Sequence, residues 1–126
     1  MNLNQVTLPS TNIERSIKFY TGMGFTLIVE SPHYARFACP SGDSTFSFHL
    51  VNETPTHTGV VIYFESENLD SLVTRLASQG YHFDQTPKDE RWLWREARLK
   101  DPDDNVICLF YAGENRHNPP WRVSTT

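Results

Sequence analysis

Between residues 92 and 96 the chain reads Trp-Leu-Trp-Arg-Glu. Trp92 and Trp94 stand two residues apart, so on a strand both indoles face the same way. Two rings on one face make a platform for a planar or apolar ligand. They equally suit a hydrophobic sheet face or a dimer seam. Sulfur chemistry is sparse. Cys39 and Cys108 are the two cysteines, and they give neither a disulfide framework nor a zinc-binding spacing. A reduced intracellular protein is the default reading. Asp101-Pro102-Asp103-Asp104-Asn105 has the composition of a tight turn.

Those side chains need a frame, and the chain offers one twice. Residues 2–8 read as a short strand. Ser10, Thr11 and Asn12 supply capping chemistry, and Thr11 with Glu14 makes a capping-box pattern. Ile13, Ile17 and Tyr20 follow at helical spacing, with Phe19 beside them. Gly24 is placed to stop that helix in a left-handed conformation. Strands follow over 25–30, 34–38 and 45–51, with Pro40-Ser41-Gly42-Asp43 as a turn. The order β-α-β-β-β then recurs. A strand over 60–64 leads to a helix with Leu69, Leu72, Val73 and Leu76 on one stripe, capped by Asn68 and stopped by Gly80. A strand starts at 81–83, another covers 92–99, and the last covers 106–111.

Asn12 and Asn68, Ile17 and Val73, Gly24 and Gly80, and Phe25 and Tyr81 all pair at one shift of about 56 residues. One domain over residues 1–126 is therefore expected. Repeat one spans about 2–52, repeat two about 57–111, and an extended tail covers 112–126. In that tail, Asn118-Pro119-Pro120-Trp121 implies an extended segment that packs through Trp121.

Composition limits the function classes. The chain has 126 residues, 38% hydrophobic and 21% charged, with a formal net charge of −4. This is a globular composition, large enough for a core without disulfides. The negative balance argues against general binding of nucleic acid or anionic membranes. No apolar run approaches the roughly 20 residues that span a bilayer, and residues 1–10 lack a signal-peptide layout. A cytoplasmic protein is expected.

The two βαβββ units, the opening NQVTLP strand, the helix ending KFYTGMGF and the late DPDDNVICLF turn-strand resemble the vicinal-oxygen-chelate superfamily. That superfamily includes glyoxalase, extradiol dioxygenase and bleomycin-resistance proteins. The resemblance covers nearly the whole chain and implies an α+β fold. Two βαβββ repeats form a curved mixed sheet with helices on the outer face and a ligand cavity within. It also implies a homodimer.

Metal-dependent members of that superfamily hold one divalent ion with His, Gln or Glu, leaving positions open for substrate oxygens. By motif position, the resemblance puts Gln5, Ser47, Val61 and Cys108 where ligands would stand. Gln5 is acceptable, Ser47 is poor and Val61 cannot ligate. Cys108 replaces the usual Glu. No metal or other cofactor is therefore expected. His49 shares the strand face of Ser47, so a fallback site of Gln5, His49 and Cys108 stays open, suited to a single zinc or iron ion. His57 lies just before the fifth strand. The plainer readings are a small buried apolar role for Cys108 and a hydrogen-bonded, half-buried sheet histidine for His49.

What lines the cavity follows from the resemblance together with alternation. Val106, Cys108 and Phe110 face inward, as do Trp94, Glu96 and Arg98, leaving Ala97 and Leu99 for the helices. Tyr63 accompanies Val61, Gln5 accompanies Thr7, and the repeat maps Tyr34 and Arg36 onto Glu96 and Arg98. Two guanidinium groups near one another favour a carboxylate or phosphate ligand. Glu96 could serve as a catalytic base, or it could simply pair with Arg98. Glu114, Arg116 and Trp121 could cover the cavity mouth or pack as an ordinary tail. The leading expectation is metal-independent binding of a small anionic or aromatic molecule. The alternative is a lactoylglutathione-lyase-like lyase or isomerase, with a rearranged metal site or with Glu96 as base. A third reading is a dimeric accessory domain without a ligand.

Overall fold

The computed structural model describes residues 1–56 and 59–124. The first repeat runs β1 (Gln5–Ser10), α1 (Ile13–Met23), β2 (Thr26–Ser31), β3 (Tyr34–Ala38) and β4 (Thr45–Leu50). The second runs β5 (Val61–Glu65), α2 (Leu69–Ser78), β6 (Phe83–Asp89), β7 (Arg95–Lys100) and β8 (Val106–Tyr111). Each repeat builds a four-stranded mixed sheet, ordered β1-β4-β3-β2 and β5-β8-β7-β6. In both, the outermost pair β1/β4 or β5/β8 is parallel and the other pairs are antiparallel. The βαβββ pattern expected twice is present twice.

Local chemistry sets the helix ends. Asn12 caps α1, its side-chain oxygen accepting from the Arg15 N–H at 3.0 Å. The expected Thr11–Glu14 capping box does not form, because Thr11 is drawn elsewhere. Its N–H and hydroxyl donate to Asp103 Oδ1 at 3.0 and 2.5 Å. Gly24 closes α1 at φ 109°, and Gly80 follows α2 at φ 100°. Both angles lie where a side chain is strained. Asn68 occupies the cap position of α2 without a side-chain capping bond. Strand β1 begins at Gln5 rather than residue 2, because pairing with β4 begins at Gln5↔Thr45. Pro9 is tolerated within β1 because that strand is a sheet edge.

The structure divides into two compact units. The first comprises Met1–Gly59 with Asp101–Asn105. Its α1 buries Ile13, Ser16, Tyr20 and Met23 at helical spacing. Tyr20 meets the rings of Phe37, Phe46 and Phe48 at centroid distances of 4.8–5.7 Å, within the range where aromatic pairs attract. The Tyr20 hydroxyl donates to Asp101 Oδ2 at 2.6 Å, and burial beside that carboxylate holds the phenol well above its ordinary pKa. Asp101 also accepts from the N–H groups of Asp103 and Asn105, both at 2.9 Å. The Asp101 carboxylate thus organises the acidic turn, while Asp103 Oδ2 is buried without a hydrogen-bond partner among the described residues.

The second unit comprises Val60–Lys100 and Val106–Thr126. Helix α2 buries Leu69, Val73 and Leu76. Ala97, Leu99, Ile107 and Leu109 are buried at the sheet's core. After β8 the tail is not fully extended: Gly113–Arg116 forms one 3₁₀ turn. Glu65 organises that turn, its Oε2 accepting from the Ala112 and Gly113 N–H groups at 2.9 and 3.0 Å. Trp121 does not pack as expected; it is 57% exposed, and the Arg122 N–H closes a turn on Pro119.

Candidate functional site

The expected site residues divide between the two sheets. Gln5, Tyr34, Arg36 and His49 belong to the first unit, and Tyr63, Trp94, Glu96, Arg98 and Cys108 to the second. Each group is described within its own unit.

On the first sheet, register aligns Thr7 with Ser47 and Ser47 with Arg36, while His49 lies between Pro9 and Tyr34. Side chains alternate, so Gln5, Thr7, Tyr34, Arg36, Ser47 and His49 share the face opposite the aromatic core. Ser47 is fully buried. Its hydroxyl accepts from Gln5 Nε2 at 2.8 Å and lies 2.7 Å from Thr7 Oγ1. The Thr45 hydroxyl donates to the side-chain amide oxygen of Gln5. Arg36 Nε donates to the Tyr34 hydroxyl at 3.0 Å, with the guanidinium over the ring at 5.4 Å. Hydrogen bonding from Ser47, aided by Arg36, lowers the pKa of the Tyr34 phenol.

On the second sheet, register places Tyr63 beside Cys108 and Cys108 beside Arg98, with Glu96 beside Phe110. The expected parity holds, because Ala97 and Leu99 pair with Leu109 and Ile107 on the opposite face. Glu96 is only 2% exposed. Both of its oxygens are engaged: Oε1 accepts from Arg98 Nη2 at 3.2 Å and Oε2 from the Trp92 indole at 2.7 Å. Arg98 Nη2 also reaches the Tyr63 hydroxyl at 3.4 Å. The carboxylate is held as part of a pair, which is how a fold tolerates a buried charge.

The aromatic surface differs from expectation. Trp92 and Trp94 are not on a strand, since β7 begins only at Arg95. They lie in a turn closed by the Glu90 N–H on the Trp94 carbonyl at 2.8 Å, with Leu93 at φ 68°. That positive φ reverses the chain and breaks the alternation. Both indoles still reach the face that carries Glu96 and Phe110, but from the turn. Trp94 stacks on Phe110 at 4.7 Å and 19°. Tyr63 meets both rings edge-on, at 5.9 and 5.5 Å. The Trp94 indole N–H donates to the Asn115 carbonyl at 3.3 Å, so the tail helps to fix the ring. The Trp92–Glu96 bond was not legible beforehand; a Trp four residues before a buried Glu across a hairpin turn is its only signal.

The positions that could hold a metal do not fit one. Ser47 is spent on Gln5 and Thr7. Val61 joins Cys108, Phe110, Ala112 and Trp94 in an apolar cluster. Cys108 is fully buried, and burial, with the neighbouring Glu96, pushes its thiol up to about 12. Such a thiol would have to lose its proton to ligate, at an added cost. Nor do Gln5 and His49 converge: they stand four residues apart along the β1/β4 register, about 13 Å at strand rise. Among the described residues, no group of three His, Cys, Asp or Glu is arranged to hold an ion. His57 lies outside the described residues.

A family model described as Glyoxalase/Bleomycin resistance protein/Dioxygenase superfamily matches residues 2–109. A bleomycin resistance protein of Geobacillus stearothermophilus is 28% identical, over 82% of this chain and 91% of its own. Among solved structures, a glyoxalase/bleomycin resistance protein/dioxygenase from Nocardioides aligns with a TM-score of 0.79 at 21% identity, over 98% of this chain and 90% of that one. A bleomycin-binding protein complexed with bleomycin aligns with a TM-score of 0.73 at 18% identity, over 88% of this chain and 98% of that one. These structural likenesses establish a shared fold.

Proposed function

The chain belongs to the Glyoxalase/Bleomycin resistance protein/Dioxygenase superfamily, and from that premise we propose that it binds a small anionic or aromatic molecule without a metal. The observation that carries the proposal is the Trp94–Phe110 stack flanked by Tyr63. A planar ligand gains apolar burial and ring contact on such a surface. The donor chemistry around Cys108 supports independence from a metal. The burial of Glu96 and its pairing with Arg98 support a structural charge pair, and so binding over proton abstraction. Relatives named for bleomycin resistance and a fold-mate that binds bleomycin make that compound a sensible first probe. The homodimer implied by the resemblance belongs to this proposal, and sedimentation velocity tests it.

Tryptophan fluorescence provides the direct test. Metal-stripped protein is titrated with bleomycin and with a panel of planar aromatic acids. A saturable change is expected, weakened at least about tenfold in Trp94→Ala, the loss that follows when one ring contact is worth roughly 1.4 kcal/mol. If every compound leaves the emission unchanged, or Trp94→Ala binds as well as the wild type, the platform is not a ligand site.

A further inference from the structure

The two repeats place an arginine at equivalent points but treat its charge differently. Arg98 has the buried carboxylate of Glu96 two residues before it and pairs with it at 3.2 Å. Arg36 has Tyr34 at that position. Its cross-strand neighbours are Val29 and Ser47, both uncharged. Among the described residues no carboxylate forms an ion pair with Arg36. Its Nε is committed to the Tyr34 hydroxyl at 3.0 Å, which leaves the paired Nη groups without a protein acceptor among the described residues. Partly buried guanidinium groups are normally matched by an acidic partner.

The Tyr34 hydroxyl sharpens the picture. Its oxygen receives a hydrogen bond from Arg36 Nε at 3.0 Å. With that donor on the oxygen, the phenolic proton is left to meet an outside acceptor. The Arg36 guanidinium also lies over the Tyr34 ring at 5.4 Å, so the phenol is held in place. His49 stands across from Tyr34 on the same face. The result is a fork of two N–H-bearing nitrogens beside an O–H donor, with no ion-pair partner among the described residues.

We propose that Arg36 and Tyr34 form an oxyanion site on the first sheet, taking a carboxylate or phosphate group of a small molecule. The Nη pair would grip two oxygens of one group, as guanidinium does with either anion. Tyr34 would donate to a third contact. This rests on the binding reading above and gives anion recognition to Arg36 rather than to the already neutralised Arg98.

Arginine-selective ¹H–¹⁵N spectroscopy tests it. Metal-stripped protein is titrated with sodium acetate and separately with sodium phosphate, against sodium chloride of matched ionic strength. The Arg36 Nε–H resonance should shift saturably with at least one oxyanion and not with chloride, and the tighter of the two identifies the source. Arg36→Lys keeps the charge and loses the fork, so affinity should fall about tenfold. Tyr34→Phe should weaken binding about threefold or more. The proposal is overturned if Arg36 responds to the oxyanions no more than to chloride, or if Arg36→Gln binds them as the wild type does. Tyr34→Phe binding at wild-type strength would remove the tyrosine from the site. If Arg36→Gln folds poorly, the wild-type resonance and Tyr34→Phe still decide. Acetate and phosphate carry no ring, so a silent Arg36 would leave the fluorescence test of the aromatic platform standing.

Discussion

Replacing Arg98 with Met tests whether Glu96 is held by its pair. The side chain of Glu96 is 2% exposed and that of Arg98 32%, with Oε1 and Nη2 at 3.2 Å. Methionine fills much of the arginine volume, so the change removes charge and donor more than packing. Glu96 would lose its cationic partner and keep the Trp92 indole on Oε2. Stranding a fully buried carboxylate costs about 3–5 kcal/mol. Arg98 is a third exposed, so water can enter where its head group sat, and about 2 kcal/mol is the expected loss. For a chain of this size that is a fall of about 8 °C in Tm. The double variant Arg98→Met, Glu96→Gln removes the stranded charge and keeps an acceptor for Trp92. It should recover more than half of the loss, about 1–1.5 kcal/mol. Urea unfolding at neutral pH, followed by circular dichroism, gives all three free energies. The reasoning is refuted if Arg98→Met lies within about 0.5 kcal/mol of wild type, or if adding Glu96→Gln destabilises it further.

The acidic turn makes a second prediction. Tyr20→Phe deletes the hydroxyl that donates to Asp101 at 2.6 Å; a buried bond to a charged group is worth about 1.5–3 kcal/mol, which chemical denaturation will register. Alkaline pH makes a third. The thiol of Cys108 and the phenol of Tyr20 are raised above their ordinary values, so the folded chain binds more protons than the unfolded chain above their unfolded pKa values. Stability should therefore fall as pH rises from about 9, and a flat urea midpoint from pH 8 to 11 would contradict this. Cysteine labelling makes a fourth. Cys39 is partly exposed and Cys108 is buried, so iodoacetamide should modify Cys39 first and reach Cys108 only on unfolding, as peptide mass spectrometry will show.

The paired repeat was legible because its markers are local. Asn12 acts through its own side chain on the adjoining turn, Gly24 and Gly80 act through their own backbone geometry, and hydrophobic spacing located α1 and α2. The facing of Glu96 and Arg98 was legible too, because Ala97 and Leu99 had to take the core side. Much of what the sequence did not disclose depends on contacts distant in the chain, and one local bend escaped it too. Thr11 leaves its capping box for Asp103, 92 positions away. The Trp92–Trp94 segment reads as a strand because its composition suits one. Only the closure of Glu90 on Trp94, with Leu93 in a left-handed conformation, turns it into a hairpin bend, and no glycine advertises that bend. Ser47 looked like a failed metal ligand. It is the centre of a hydrogen-bonded row whose partners, Gln5 and Thr7, come from 40 or more residues earlier.

Metal independence is tested most directly by calorimetry on one preparation in two states. The protein is stripped with chelator, its metal content checked by plasma mass spectrometry, and one half reloaded with zinc or ferrous ion. Each half is titrated with the compound that gives the strongest fluorescence change. Equal affinity and stoichiometry in the stripped and reloaded halves are predicted. Binding that vanishes on stripping and returns with stoichiometric metal would contradict the account.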